Sequence, residues 1–233
     1  CNGLVNYLSE EFKTIHLPVK EKNYKTIDYL YQDNPKIKLL KLVNRDKTPD
    51  VLTPQDITNI SNFETNQINS IANDMNLEIL RVGHEKFTFP MPETFYTQLN
   101  LPYSVSREYF RFIYDREKNS ILESHLKDYY NTGEDYVLVH SESSAGNFPV
   151  NSLKHLDDQK YILFEKKSDI FHNMFFYTDV LRNAKAIHTV NSSVFCLADR
   201  LETSEKLFFH NTNQVDNIGK QISFLKKWKI VNY

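Results

Sequence analysis

Glycine is scarce in this chain, with five residues in 233. None stands in a G-x-x-x-x-G-K-[ST] or G-x-G-x-x-G arrangement, so the backbone cradles of kinases, NTPases and dinucleotide-dependent dehydrogenases are absent. There are only two cysteines, Cys1 and Cys196, and no C-x-x-C pair. That excludes a disulfide framework, makes no case for structural zinc, and predicts reduced thiols in a cytoplasmic protein. No apolar run approaches the ~20 residues a bilayer-spanning helix needs, and there is no signal-peptide core. No transmembrane segment is therefore expected. Basic residues are not in excess: 28 Lys and Arg stand against 30 Asp and Glu, a formal charge of −2. A general nucleic-acid surface would show the opposite balance. No G-x-S-x-G elbow is present, and no two of the eight histidines have metal-ligand spacing. The expectation is a protein with no bound metal or other cofactor and no nucleic-acid partner.

What is abundant is aromatic: 16 Phe and 14 Tyr in a chain 40% hydrophobic and 25% charged. That composition belongs to a globular protein, long enough for one large domain or two small ones.

The chain opens at Cys1-Asn2-Gly3, and Leu4, Tyr7 and Leu8 follow at the i, i+3, i+4 spacing of an amphipathic helix. A start inside an element leads us to expect a missing strand upstream, hence an incomplete N-terminal lobe. Short strands are expected at Thr14–Val19, Ile37–Val43 and Leu77–Val82, with helices at about 23–31 and 64–73 between them. Pro49 and Pro54 read as turn residues. This β-α-β-α-β order predicts parallel strands with crossover helices. From Phe87 to Tyr103 three prolines interrupt the pattern, and a charged helix over Asp115–Tyr130 ends at Asn131-Thr132-Gly133.

The alternation then restarts. Tyr136–His140 (YVLVH) has the continuous apolar character of a buried parallel strand. Further strands are expected at Tyr161–Phe164, Ala186–Val190, Lys206–Phe209 and Trp228–Val231, with helices over about 170–182, 194–201 and 215–225. The fold class is thus α/β, as two Rossmann-like lobes with parallel sheets. Residues 1–112 would form the N-terminal lobe and 113–233 the C-terminal one. The aromatic stretch Phe87–Tyr114 reads first as packing between the lobes and second as a homodimer surface.

In open parallel sheets, ligands bind beyond the carboxyl ends of the strands. Two loops of the second half satisfy that rule. One is Asn191-Ser192-Ser193, between the strand AIHTV and a helix, where unpaired first-turn N–H groups and hydroxyls suit phosphate oxygens. Its blander reading, an ordinary helix N-cap, is the commoner use of Asn and Ser there. The other loop, Ser141–Val150 (SESSAGNFPV), follows His140. It carries Ser143 and also Gly146, whose lack of a side chain lets backbone approach a ligand. A solvated surface loop is an equal reading of it. Glu85 and Glu142 could each serve as a base, whereas Asp28 and Asp199 read as solvent-facing helix residues.

The run AKAIHTVNSSVFCLADRL (184–201) resembles the C-terminal lobe motif of GT-B glycosyltransferases of the heptosyltransferase and fucosyltransferase kind. In that motif a strand leads into Asp-Thr-Gly-x-x-His-Leu-Ala. Asn191, Ser192 and Ser193 stand at the Asp-Thr-Gly positions, Leu197-Ala198 matches Leu-Ala, and Cys196 replaces the His. The segment DIFHNMFFYTDVLRNA resembles the helix that leads into the motif, and VHSESSAGNFPV a phosphate- or base-contacting loop. The resemblance implies a bacterial glycosyltransferase with a nucleotide-sugar donor in a cleft between lobes and a glycan or lipid-linked acceptor. It also implies an enzyme that is cytoplasmic or peripheral at the inner membrane. Asn191, Ser192 and Ser193 would hold the diphosphate, with His140, Ser143 and Gly146 as further nucleotide contacts. No catalytic residue is assigned. A non-catalytic or truncated nucleotide-binding module, or another Rossmann-type enzyme on a phosphorylated metabolite, are the rival readings. Cys196 is expected to be a buried, inert thiol.

Overall fold

The computed structural model describes residues 2–43, 53–83, 88–143, 146–150, 153, 160–212 and 218–232. The chain divides into two units, Cys1–Phe87 with Tyr109–Ile113, and Thr88–Glu108 with Tyr114–Tyr233. Both are α/β and both pair their main strands in parallel.

The first unit begins with helix α1 (Asn2–Glu11), followed by strand β1 (Ile15–Lys20), helix α2 (Tyr24–Tyr31) and strand β2 (Ile37–Leu42). The two strands pair in parallel, from Ile15 opposite Ile37 to Lys20 opposite Leu42, with α2 as the crossover. The inward side of α1 is more polar than the Leu4, Tyr7, Leu8 spacing suggests, because Asn2, Asn6 and Ser9 are buried beside Leu4. Their i, i+4, i+7 spacing makes a ladder of polar groups on one face. Asn6 Nδ2 donates to Asn2 Oδ1 and to the Tyr109 carbonyl, both at 3.1 Å, and Asn34 Nδ2 donates to Ser9 Oγ at 2.9 Å. The Arg111 N–H donates to Asn2 Oδ1 at 3.0 Å, so the short segment Tyr109–Ile113 joins this unit through hydrogen bonds.

Helix α3 (Pro54–Asp74) starts ten residues before the position the apolar spacing suggests. The cause is local. Thr53 caps the Asp56 N–H while the Asp56 carboxylate accepts from the Thr53 N–H, and Pro54 sits in the first turn, where a missing N–H costs nothing. Pro54 is a helix start, not a turn residue. The expected strand Leu77–Val82 is not formed. Ile79 and Leu80 are exposed, so no burial rewards the extended pairing that their β-propensity favours. The Gln67 amide closes two 3.0 Å hydrogen bonds with the Val43 backbone, fastening the end of β2 to α3.

In the second unit, short helices α4 (Thr94–Thr97) and α5 (Val105–Glu108) precede α6 (Arg116–Tyr129), which Asp115 caps. Strand β3 (Val137–His140) follows, then the two-residue strands β4 (Glu142–Ser143) and β5 (Gly146–Asn147), and β6 (Tyr161–Leu163). The expected helix over 170–182 is a 3-10 turn (Met174–Tyr177) running into α7 (Thr178–Asn183). Strand β7 (Ala186–Thr189), helix α8 (Ser193–Ala198), strand β8 (Leu207–Asn211) and strand β9 (Lys229–Asn232) complete the chain. Of the helix expected near 215–225, residues 215–217 lie outside the described ones, and among the rest only the 3-10 turn Ile218–Lys220 is formed.

Five strands make one parallel sheet in the order β6-β3-β7-β8-β9. Adjacent residues on a strand face opposite sides, and both sides are filled. Phe208 packs with Val137, Val139, Phe148 and Ala186, while Phe209 packs with Phe195 and Ile222.

The last strand is held by a carboxylate at the end of α8. Asp199 is fully buried, contrary to its expected solvent-facing position. It accepts from the Leu225 N–H (2.9 Å), the Lys226 N–H (3.1 Å) and Trp228 Nε1 (2.8 Å). Lys226 Nζ in turn donates to the Ala198 carbonyl (2.8 Å), the Leu201 carbonyl and Thr203 Oγ1 (2.7 Å), placing a cation at the C-terminal end of α8. Burial pulls the Lys226 ammonium down to about 8, against the attraction of Asp199 and Glu202.

Asp199→Ala would strand three donors at once. Hydrogen bonds to a charged group are worth about 1.5–3 kcal/mol each, though not additively, so a loss of about 3 kcal/mol or more is expected. The fluorescence of Trp228, the sole tryptophan, should report it as a lower urea midpoint. An unchanged midpoint would mean that this carboxylate does not fasten the C-terminal strand.

Candidate functional site

In the five-stranded sheet the chain runs from β3 outward to β6, then returns to β7 on the other side of β3 and continues through β8 to β9. Crossovers therefore leave β3 and β7 toward opposite sides. The crevice beyond their carboxyl ends is the topological switch point, where doubly wound sheets place their ligands. The two loops singled out in the sequence are the ones that leave β3 and β7.

They touch. The Ser143 hydroxyl donates to the Asn191 carbonyl at 2.8 Å, and below it the Val190 N–H donates to the His140 carbonyl at 3.3 Å. The first loop, expected as a polar loop, folds back on itself. Glu142 pairs with Asn147 and Ser143 with Gly146 in an antiparallel bridge, and the Phe148 N–H donates to the Ser141 carbonyl. Gly146 has φ 133°, a conformation that side-chain-bearing residues rarely adopt, so glycine is needed for this return. Ser144 and Ala145 lie outside the described residues.

In the second loop Asn191 and Ser193 are exposed and Ser192 is half-buried. Ser192 is the N-cap of α8, and its hydroxyl accepts from the Phe195 N–H at 3.1 Å. Its oxygen is thus engaged by its own helix, as in the blander reading of this loop. The Cys196 N–H bonds back to the Ser192 carbonyl. The N–H groups of Ser193 and Val194, first and second in the helix, have no acceptor within it. Asn191, Ser192, Ser193, Ser143 and Gly146 are therefore gathered at one place.

His140 differs. It ends β3, but its ring stands edge-on to Phe164, 5.0 Å between centroids, which turns it toward the β6 side. Burial pushes its pKa below that of a free imidazole, against a hydrogen bond to the Phe164 backbone, and among the described residues its Nδ1 meets no partner. Glu142 is exposed on β4, Asp28 is exposed on α2, and Glu85 lies outside the described residues.

Cys196 is half-buried against the Phe195–Phe209–Ile222 cluster. Desolvation raises its thiol pKa, opposed by Arg200, whose guanidinium donates to the Cys196 carbonyl at 2.7 Å. Among the described residues no cluster of His, Cys, Asp and Glu could hold a metal ion, and no helix is long and apolar enough to cross a membrane.

Sequence reasoning passed over the end of β8. His210, Asn211 and Thr212 occupy the same carboxyl edge of the sheet as Asn191, and together with Gln221 they line a pocket there. The rule that pointed to the other loops applies equally to the run FFHNT. His188 and His210, scattered in sequence, also meet: His188 Nδ1 lies 3.0 Å from His210 Nε2, with both rings buried. Phe208 stacks on the first and Phe148 on the second.

No family model and no curated protein matches the sequence. Among solved structures, the crystal structure of a glycosyl transferase family 9 protein from Veillonella parvula is similar, with a TM-score of 0.53 and 9% identity. The match covers 99% of this chain and 83% of that one. At that identity the likeness shows the fold, which is the α/β, parallel-sheet fold of GT-B-like glycosyltransferases.

Two measurements check the local chemistry. A half-buried His140, its charged form disfavoured by desolvation, has a folded pKa below the ~6.5 of the unfolded chain. Above ~6.5 both states are neutral. As pH falls toward the folded pKa, the unfolded chain takes up the proton first and stability is lost; below the folded pKa this loss stops. His140→Phe should lose less stability across that window than the unaltered chain, and equal losses would sink the assignment. Thiol labelling mapped to Cys196 should be slow in the native protein and fast in urea; rapid native labelling would mean a reactive thiol.

Proposed function

We propose that this chain is a glycosyltransferase that binds a nucleotide-diphosphate sugar and transfers the sugar to a glycan or lipid-linked acceptor. Residues 113–233 would serve the donor and 1–112 the acceptor. The observation that carries this reading is the junction at the switch point. The loops after β3 and β7 are tied by the Ser143–Asn191 hydrogen bond where such sheets bind phosphorylated ligands. The likeness in fold to a glycosyl transferase family 9 protein supports it.

Chemically, transfer builds negative charge on the departing diphosphate. The N–H groups of Ser193 and Val194 and the exposed Ser193 hydroxyl are donors that could meet that charge, at the positive end of a helix. Ser192 would act indirectly, by capping α8 and fixing the direction of those N–H groups. Ser143 would hold the two loops at their separation, and Gly146 would let the first loop approach the ligand. His140, turned toward β6, is the weakest of the candidate contacts.

A nucleotide-binding module without turnover is the second reading. It is favoured by the exposure of Glu142, the acidic residue within the first loop. Calorimetry with a panel of nucleoside diphosphates tests binding, and release of nucleoside diphosphate from a sugar donor in the presence of acceptor tests transfer. Ser143→Ala should weaken nucleoside-diphosphate binding by about tenfold, equivalent to about 1.4 kcal/mol, with little change in melting. If no nucleoside diphosphate binds the unaltered chain, the glycosyltransferase reading fails. Binding without transfer leaves the second reading.

A further inference from the structure

Next to the switch-point loops lies a pocket of about 140 Å³, built entirely within the second unit. One wall comes from far away in sequence. Met91 forms a parallel bridge with Ile222, its N–H donating to the Gln221 carbonyl and its carbonyl accepting from the Ser223 N–H, both at 2.8 Å. Ser223 Oγ also donates to Glu93 at 2.8 Å. The segment from Phe89 to Met91 is thereby held against Gln221–Ser223, which shares the pocket with the end of β8.

The lining has two characters. Phe89, Met91, Phe209, Ile218 and Ile222 supply an apolar surface, with Phe89 60% exposed at the opening. Asn191, Thr212 and Gln221 supply neutral polar groups. Among the described residues, the side chains of these three show no hydrogen-bond partner, so their capacity is left for a ligand. Asn211 and His210, by contrast, are engaged, Asn211 with Asn232 Oδ1 at 2.9 Å and His210 Nε2 with His188 Nδ1 at 3.0 Å. No Asp, Glu, Lys or Arg is among the described lining residues.

The size suits one six-membered ring, since an apolar cavity of about 150 Å³ takes up benzene. Its chemistry does not suit benzene, because three amide and hydroxyl groups would lose water without gaining partners. A pyranose satisfies both demands. Its C–H face packs on aromatic and aliphatic side chains, while its hydroxyls donate to and accept from amides and a hydroxyl. A carboxylate or ammonium on that ring would be desolvated with no Asp, Glu, Lys or Arg among the described lining residues to pair with it, at a cost of several kcal/mol.

We infer that this pocket is the sugar subsite and that it selects a neutral hexose over hexuronic acids and amino sugars with a free amine. The inference rests on the donor reading above for its placement. Asn191 belongs both to the loop assigned to the diphosphate and to the pocket, so the ring bonded to the terminal phosphate falls there. Selectivity comes from Thr212, Gln221 and the aliphatic wall, none of which is assigned to the diphosphate.

The test measures the affinities of nucleoside diphosphates, the matching nucleotide-hexoses and the matching nucleotide-hexuronates by calorimetry, and of the free hexose and hexuronate by saturation-transfer NMR. The hexose should raise affinity over the bare nucleoside diphosphate by about tenfold or more, and the hexuronate should add nothing. Gln221→Trp, which fills the pocket from a half-buried position, should abolish the hexose gain while leaving the nucleoside-diphosphate affinity and the melting temperature unchanged. Gln221→Glu, nearly isosteric, should reduce the gain without filling the space. If no nucleoside diphosphate binds but the free hexose does, and Gln221→Trp removes that signal, the donor reading fails and the pocket assignment stands. The assignment is overturned if the hexose adds no affinity and gives no signal when free, if the hexuronate gains as much as the hexose, or if neither Gln221 variant changes the hexose gain.

Discussion

Strands β3 and β7 lie side by side in the middle of a parallel sheet that is covered on both faces. Their backbone groups have no water to turn to and must be paired with neighbouring strands. That pairing, Val137 to Ala186 through His140 to Thr189, dictates much of what surrounds it. It places His140 beside Thr189, and with β6 on the far side of β3 and β8 on the far side of β7 the chain leaves the two strands toward opposite sides. The crevice that results owes its position to backbone hydrogen bonding, and the side chains of Ser143, Asn191 and Ser193 only furnish it.

Around this centre, polar groups do the fastening that loops alone could not. The buried carboxylate of Asp199 and the ammonium of Lys226 tie α8 to the segment leading into β9. The same helix carries Ser192 at its other end, as cap to its own first turn. The short helix behind the candidate phosphate loop is thus held at both ends. Such rigidity suits an anion site, where donors aimed in advance need no reorganisation when charge develops. The first unit uses the same device in neutral form, with Asn2, Asn6, Ser9 and Asn34 bonded across the buried face of α1.

Some of this was legible in the residues. YVLVH and AIHTV are continuous apolar runs between polar breaks, a pattern that a strand buried on both faces requires, and both form strands. The Ser- and Asn-bearing loops after them follow from where ligands sit in such sheets. Helix α3 was legible in principle, since Thr53, Pro54 and Asp56 spell a capping box, but the eye reads proline as a turn. Leu77–Val82 misled for the opposite reason: its alternation is that of a strand, yet strand formation depends on a neighbour and a buried face, and neither is encoded in the run itself.

Local patterns in the sequence by themselves determined the α/β class, the strands of the second unit and the two loops at the switch point. These are consequences of short-range periodicity and of residue types at strand ends, which act within a few positions. Only the tertiary structure decided that Asp199 is buried, that His188 meets His210, and that Met91, Asn191, Thr212 and Gln221 share one pocket. Each of these depends on groups tens of residues apart being brought within hydrogen-bond or van der Waals distance. The order in which strands assemble sets such distances, and no local pattern contains it.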